Sequence, residues 1–223
     1  MSSIDTARTN RGRAYAGRSS VERREARRAA LIDAGVQVFG RDGFRSATVK
    51  SICRAAGLTE RYFYESFANS EALFAAVYKS LIAALEAEMI AAIEAAPAEA
   101  EATARASLRV YFGHMADPLI ARIVLIEIFG ISADIDRIYR AVTLNFARLT
   151  EDLTARLFDV EAITAGADSR LLSMGLVGST IHIAMYWYLN GYRESLETVV
   201  ESALRLYLAM ADNAPADRQP AGR

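Results

Sequence analysis

The chain has 223 residues, of which 52% are hydrophobic and 24% are charged, a composition typical of globular proteins that excludes an intrinsically disordered chain. It contains one cysteine, Cys53, so an intramolecular disulfide is excluded and a reducing compartment is expected. The first twenty residues are polar and rich in arginine, unlike a signal peptide, and we therefore expect a cytoplasmic protein.

The formal net charge of −1 conceals an uneven distribution of charge along the chain. Up to Tyr64 there are 13 basic and 6 acidic residues, a balance of +7, whereas the remainder has 13 basic and 21 acidic residues, a balance of −8. A basic front part favours a polyanion such as nucleic acid as the partner. For residues 1–20, a flexible arginine-rich arm that binds nothing is an equally good interpretation.

Apolar residues recur at intervals of three and four, which predicts helices throughout and an all-α fold. The first predicted helix covers about 21–40 and places Leu31, Ala34 and Val38 on one face. Gly43 follows it, and glycine can adopt the left-handed conformation that ends a helix.

Three further helices are predicted from capping residues. Thr48 is the predicted N-cap of a second helix through Ala56, which Gly57 ends. Thr59 is the predicted N-cap of a third helix, and Ser70 that of a fourth. Two short helices joined by a glycine-containing turn, behind a longer helix, predict a helix-turn-helix at about residues 47–66, an arrangement that reads DNA.

The predicted third helix carries three consecutive aromatic residues, Tyr62, Phe63 and Tyr64. Neighbouring residues of an α-helix point about 100° apart, so all three cannot share one buried face. In this geometry Phe63 and Phe67 face inward, and the two tyrosines flank the outward side. A tyrosine there can offer its hydroxyl to a phosphate and its ring to a thymine methyl. The alternative is that one tyrosine packs on the fourth helix with only its tip exposed.

The run from Leu31 to Leu73 resembles the DNA-binding domain of the TetR family of transcriptional regulators. The resemblance lies in the order and spacing of these residues: Ala34 to Phe39, Gly43-Phe44, Thr48-Val49, Ile52, Ala56-Gly57-Leu58, Phe63-Tyr64, Phe67, Glu71 and Leu73. It implies an N-terminal three-helix helix-turn-helix DNA-binding domain followed by a larger helical domain for ligand binding and dimerisation.

Several departures from the family pattern change the charge expected near the DNA. Ser70 replaces a lysine that family members usually carry before the glutamate, Arg61 stands where glycine is frequent, and Glu65 stands where histidine is frequent. Glu60 adds another negative charge, so phosphate contacts are expected to shift towards other basic residues and the arm. The predicted DNA-binding residues are Arg45, Thr48, Lys50, Thr59, Arg61, Tyr62, Tyr64 and Asn69.

The remaining chain is predicted to form a helical effector-binding and dimerisation domain at 74–211, after a DNA-binding domain at 21–73 and before a disordered tail at 212–223. The predicted helices of this part cover 70–96, 98–115, 118–129, 133–158, 168–190 and 195–211. It has no glycine-rich phosphate loop, Cys-x-x-Cys or His-Glu-x-x-His motif. We therefore predict no enzyme, no cofactor and no metal site.

The stretch from Leu171 to Tyr192 has no Asp, Glu, Lys or Arg and is long enough to span a bilayer. Its Ser, Thr, His and Asn residues favour a helix buried in protein instead. A helix that is apolar on every side needs a second chain to cover it. The resemblance implies a homodimer through the 168–190 and 195–211 helices, with small residues allowing close approach: Gly175, Gly178 and Ser179.

A ligand pocket is predicted among the middle helices, where apolar residues mix with a few polar groups. The candidates are Tyr111, Phe112, Met115, Ile123, Glu127, Phe129, Phe146, His182 and Tyr186. For each of them, ordinary core packing is the alternative. Glu127 lies in an apolar stretch, and its carboxylate needs a partner if it is buried. The partner could be Arg122, Arg109 or a cationic ligand. Exposure of Glu127 to solvent at the dimer edge is an equally simple interpretation.

The leading hypothesis is a ligand-responsive dimeric regulator, a repressor that an unidentified small molecule releases from a palindromic double-stranded DNA operator. Two recognition helices would enter successive major grooves about 34 Å apart. A ligand that binds better at one spacing of the two DNA-binding domains would shift the equilibrium between their spacings. The affinity for DNA would change as a result. The alternatives are a constitutive DNA-binding dimer or activator without an effector, and more remotely a helical enzyme.

Overall fold

The computed structural model describes residues 19–157 and 167–212. Every regular element in this part of the chain is a helix: α1 Ser20–Asp42, α2 Val49–Ala56, α3 Glu60–Ser66, α4 Ser70–Ala95, α5 Ala100–Met115, α6 Pro118–Ala121 continued by a π-helical segment Arg122–Glu127, α7 Ala133–Leu157, α8 Ser169–Leu189 and α9 Leu196–Asp212. The all-α prediction is confirmed. Most of the predicted arm (1–18), the tail (213–223) and the predicted end of α7 at 158 lie outside the described residues.

Helix ends follow local capping chemistry, with three differences from the predictions. α1 continues to Asp42 rather than ending at Gly40. Thr59 precedes α3, but its hydroxyl makes no capping hydrogen bond. The N-cap of α4 is Asn69 rather than Ser70, since Asn69 Oδ1 accepts a 2.8 Å hydrogen bond from the Ala72 N–H; an amide oxygen one residue earlier satisfies the free N–H of the first turn.

The first helix of the helix-turn-helix, α2, begins after Thr48 and ends at Gly57 as predicted. Thr48 caps α2 in a reciprocal box with Ser51, in which the Ser51 N–H donates to Thr48 Oγ1 (3.1 Å) and the Thr48 N–H donates to Ser51 Oγ (3.0 Å). Gly57 ends α2 in the left-handed conformation, with φ 65° and ψ 27°. Thr48 therefore fixes the start of α2, and Gly57 allows the turn between α2 and α3.

α4 joins the N-terminal three-helix head (α1–α3) to the body of later helices. Its first turns bury Leu73, Phe74 and Val77 against the head, and its later turns bury Ile82 and Leu85 in the body. Leu73, Phe74, Val77 and Ile82 belong to one contiguous hydrophobic core. The predicted domain boundary at 73/74 thus falls within a single helix, which makes α4 a shared rigid element.

An aromatic cluster fixes how the head sits on α4. The rings of Phe39, Phe44 and Phe74 lie 5.3 to 5.8 Å apart between centroids, within the range of favourable edge and tilted pairs. Phe39 and Phe74 are fully buried, and burying each such side chain contributes about 1.5–3 kcal/mol.

The body packs α5 between α4 and α9, and α7 against α8. Arg105 of α5 pairs with Glu101 of the same helix and with Glu201 of α9, each at 2.8 Å, and Arg109 pairs with Glu197. No helix in the described ranges 19–157 and 167–212 combines the length and apolar character needed to cross a membrane.

Candidate nucleic-acid interface and cavity

The aromatic residues of α3 divide between the core and the surface. Phe63 is 0% exposed and Phe67 is buried, as the helical angles predict. Tyr64 is 59% exposed and packs edge-on against Phe63, with centroids 5.3 Å apart. Tyr62 is half-buried, and the guanidinium of Arg27 lies 4.5 Å from its ring centroid. One tyrosine therefore packs within the head, as the alternative interpretation had it, but against α1 rather than α4.

Glu65 lies between arginines of two helices. Its carboxylate pairs with Arg61 on α3 (3.1 Å) and with Arg27 on α1 (3.7 Å). Its backbone carbonyl accepts a 3.2 Å hydrogen bond from Arg24 Nη2. The negative charge that the sequence places on α3 is thus balanced by arginines from α1, and the same contacts hold α3 against α1.

The other predicted DNA-binding residues all reach the surface: Arg45, Thr48, Lys50, Thr59, Arg61 and Asn69. The side-chain oxygens of Thr48 and Asn69 are occupied by capping bonds, whereas the Thr59 hydroxyl is not. Arg54, one helical turn after Lys50 on α2, is also exposed. The sequence prediction omitted Arg54, although the four-residue spacing places it beside Lys50.

The head is held to the body by two residues of the π-helical segment. Arg122 Nε donates to Glu127 Oε1 (3.0 Å), the Phe44 N–H donates to Glu127 Oε2 (2.8 Å), and Arg122 Nη1 donates to the Arg41 carbonyl (2.7 Å). We call this arrangement the Arg122–Glu127 clamp. Among the partners considered for Glu127, the structure selects Arg122, and it directs the carboxylate at the α1–α2 turn.

Two glycines make the contact between α1 and α6 sterically feasible. Gly43 has φ 82°, and a Cβ on it would lie 2.7 Å from Arg122 Nη2 and 2.8 Å from Glu127 Oε1. A Cβ on Gly40 would lie 2.6 Å from Leu119 Cβ and 2.8 Å from Leu119 Cα. Side chains at these positions would push the head away from the body.

We expect Glu127→Ala to lower the free energy of unfolding by about 1–3 kcal/mol, because it removes the acceptor of the Phe44 N–H and the partner of Arg122. The Glu127 side chain is only 16% exposed, so water replaces these contacts poorly. Urea denaturation monitored by circular dichroism measures the change. Glu88→Ala on α4, where the carboxylate is 61% exposed, is the matched control, and an equal loss in both variants would contradict a special role for the clamp.

An elongated cavity of about 320 Å³ runs through the body. Along α4 it extends from Tyr78 to Glu94, which corresponds to about 24 Å at 1.5 Å per residue. Its walls are mostly apolar and come from α4, α5, the π-helical segment, α7, α8 and α9; representative residues are Ile82, Met89, Leu108, Leu125, Val142 and Leu176.

Buried tyrosine hydroxyls contribute polar groups to the cavity wall. The Tyr111 hydroxyl is shielded from solvent and has no hydrogen-bond partner among the described residues, and Tyr78 lies nearby. The Tyr207 hydroxyl lies 3.3 Å from Thr180 Oγ1. Burial raises the pKa of Tyr78, Tyr111 and Tyr207, so these hydroxyls are neutral hydrogen-bonding groups at physiological pH.

The structure places only two of the nine predicted pocket residues, Tyr111 and Phe146, in the cavity wall. Glu127 belongs to the clamp. The other six lie elsewhere: Phe112, Met115 and Ile123 are buried in the core, and Phe129, His182 and Tyr186 are exposed. The sequence identifies apolar helices, but which side of each one meets a void depends on how five helices and the π-helical segment are rotated against one another.

Residues 31–77 match the family model described as bacterial regulatory proteins, tetR family. The chain carries the DNA-binding region that defines this family model. The match spans most of α1, the whole helix-turn-helix and the first turns of α4. This match agrees with the TetR-family resemblance of the sequence from Leu31 to Leu73.

Proteins similar to this chain cover nearly its whole described length. The fatty acid metabolism regulator protein of Bacillus subtilis (strain 168) is 20% identical over 188 residues, which are 82% of this chain and 94% of the relative. The fatty acid degradation regulator FadR from Bacillus halodurans has a TM-score of 0.70 at 20% identity, covering 82% and 94% of the two chains. FadR from Bacillus subtilis in complex with stearoyl-CoA has a TM-score of 0.70 at 18% identity, covering 83% and 98%.

Proposed function

We propose that this chain is a dimeric TetR-family repressor that an elongated, mainly apolar small molecule releases from a palindromic operator. The observation that carries the proposal concerns the π-helical segment. Val124 and Leu125 of this segment line the cavity, while Arg122 and Glu127 hold the α1–α2 turn of the head. A molecule that fills the cavity therefore presses on the segment that positions the head.

The proposed mechanism is a shift between two head spacings. An empty cavity allows the π-helical segment to hold each head where the two α3 helices fit successive major grooves, about 34 Å apart. A ligand that binds better when the segment is displaced favours the other spacing and lowers the affinity for DNA by the same factor. π-Helical turns are rare in proteins, and those that occur often lie at functional sites. The position of this segment agrees with such a role.

The proposed dimer uses α8 and α9. One face of α8 is exposed or partly exposed along the helix in the single chain, and apart from His182 it consists of small or largely apolar residues at intervals of three and four: Leu171, Gly175, Gly178, His182, Tyr186 and Leu189. Leu206 of α9 is also exposed. Covering such a face with a second copy in a four-helix bundle removes apolar surface from water.

The shape of the cavity supports a chain-like effector. Its volume of about 320 Å³ lies within the range of about 300–1,000 Å³ found for small-molecule sites. One solved relative was captured with stearoyl-CoA, whose acyl part is long and apolar. A constitutive dimer or activator without an effector is the second candidate, but a sizeable apolar cavity with an unpartnered hydroxyl favours an effector.

Selection of binding sites from randomised duplex DNA tests the proposal. We expect two inverted half-sites centred about one helical turn apart, and two copies of the chain bound per site. Because each neutralised phosphate adds about 0.9 to the log–log salt slope, a salt titration counts the backbone contacts. Selection of a single unrepeated half-site, or no enrichment over bulk DNA, would overturn the proposal.

A further inference from the structure

The charged residues in the cavity wall are all acidic. Glu86, Glu94 and Asp152 line it, and none of the residues that line it is an arginine or a lysine. None of these three carboxylates forms an ion pair within the described part of the chain. By contrast Glu101, Glu197 and Glu201, on the nearby α5–α9 contact, are all paired with arginines. The cavity thus concentrates unneutralised negative charge.

Glu86 is the innermost of these carboxylates. It is half-buried, and its only hydrogen bond in the described structure is from Asn145 Nδ2 to Oε1 (3.0 Å). It lies eight residues after Tyr78 on α4, about 12 Å further out along the helix. A partly desolvated carboxylate with a neutral partner favours a nearby cation.

A separate feature of the cavity wall could bind a polar group of a ligand. The Tyr111 hydroxyl lies at the inner end of the cavity without a hydrogen-bond partner in the described chain. A buried hydroxyl without a hydrogen-bond partner is unfavourable, so a bound molecule that supplies an acceptor would recover this loss. The cavity therefore combines a polar inner end, an apolar wall and an acidic outer half.

We infer that the effector is an elongated apolar molecule with a positively charged amine that pairs with Glu86. This inference rests on the proposed function and adds the charge of the ligand's polar group. Molecules with an anionic group are disfavoured, because their charge would lie among Glu86, Glu94 and Asp152 without a cation from the cavity wall. The same repulsion opposes an acyl-CoA whose phosphates would pass the acidic outer end.

Isothermal titration calorimetry with delipidated full-length protein tests the inference. The probes share a twelve-carbon chain and differ in their polar group: dodecylamine, dodecanol, dodecanoate and dodecanoyl-CoA, each below its aggregation concentration. We expect dodecylamine to bind at least about tenfold more tightly than dodecanoate, because its ammonium group can donate a charge-assisted hydrogen bond to Glu86. Dodecanol should lie between them.

Glu86→Gln should reduce the affinity for dodecylamine about tenfold, the effect expected from losing a charged partner, and leave that for dodecanol nearly unchanged. Glu88→Gln is the matched control, since it removes the same charge two residues away, from a carboxylate that contacts His114 outside the cavity. Equal effects of the two variants would mean that net charge, not Glu86, sets the preference, and would overturn the inference.

The outcomes separate the inference from the proposed function. Tighter binding of dodecanoate or dodecanoyl-CoA, with release of operator DNA, would overturn the amine assignment and leave the ligand-responsive regulator intact. Binding of dodecylamine that depends on Glu86 but does not alter operator affinity would support the assignment and contradict the regulatory role. If none of the four probes binds, both are wrong.

Discussion

Replacing Tyr64 with alanine is expected to lower operator affinity about tenfold or more while leaving the fold unchanged. Tyr64 is the most exposed aromatic residue of α3, and its ring covers an edge of Phe63 rather than filling the core. Loss of a base or phosphate contact in the major groove costs about 1–3 kcal/mol. Fluorescence anisotropy with the selected operator measures affinity, and circular dichroism with thermal melting checks the fold.

Two companion variants separate the possible roles of the tyrosine. Tyr64→Phe keeps the ring and removes the hydroxyl, so a full loss of affinity in this variant assigns the contact to a phosphate or base hydrogen bond. Tyr62→Ala should also weaken binding, but with a lower melting temperature, because the Tyr62 ring packs under Arg27. Operator affinity unchanged by both alanine variants would remove α3 from the DNA interface.

The effect of Arg61 is expected to be smaller and to depend on salt. Its side chain is 84% exposed and pairs with Glu65, which lies beside Arg27 as well. Removing Arg61 therefore frees a carboxylate near the DNA in addition to removing a cation, so repulsion partly explains any loss of affinity. This arrangement follows from the packing of α1 against α3. It makes Arg61→Ala a less direct test of DNA contact than Tyr64→Ala.

The second large effect is expected from glutamate in place of Gly178, which should give a monomer with operator affinity reduced about 100-fold or more. Gly178 lies in the exposed stripe of α8, and a Cβ there meets no atom of the same chain within 4 Å, so the monomer should accommodate the side chain. In the proposed dimer two unpaired carboxylates would be buried at the contact, which is strongly unfavourable. Binding two linked half-sites typically raises the overall affinity by a factor of about 10² to 10⁴. A monomer loses this gain in operator affinity.

Sedimentation velocity and operator titration measure both consequences. Gly113→Glu provides the matched control, because Gly113 is an exposed helical glycine of α5 whose Cβ would also meet nothing within 4 Å. It introduces the same charge and side chain away from α8. A Gly178→Glu protein that remains dimeric and binds the operator normally would exclude α8 as the dimer contact.

The Arg122–Glu127 clamp connects the body to the α1–α2 turn of the head. Arg122 and Glu127 are five residues apart, and on an α-helix they would point about 140° away from each other. In the π-helical segment the backbone bonds run from i to i+5, so the two side chains lie on one side and meet at the α1–α2 turn. The pairing of these residues is thus a consequence of a rare backbone geometry that helical periodicity does not predict.

Local chemistry by itself determined much of this protein. The head and its inward face follow from local features: apolar residues at intervals of three and four, the N-cap Thr48, the helix-ending Gly57 and the adjacent aromatic residues of α3. Each of these features depends on neighbours within a few residues. The uncharged stretch from Leu171 to Tyr192 likewise predicts a helix that needs a partner.

Only the tertiary structure decided where the cavity lies and how the head is held. The rotation of each helix about its axis determines whether Phe112 or Glu86 meets the void, and small packing differences among distant residues set that rotation. The same holds for Arg27 over Tyr62 and for the Arg122–Glu127 clamp, each of which joins side chains from helices far apart in the chain. Such contacts depend on shape complementarity between helices, for which a single sequence carries no local signal.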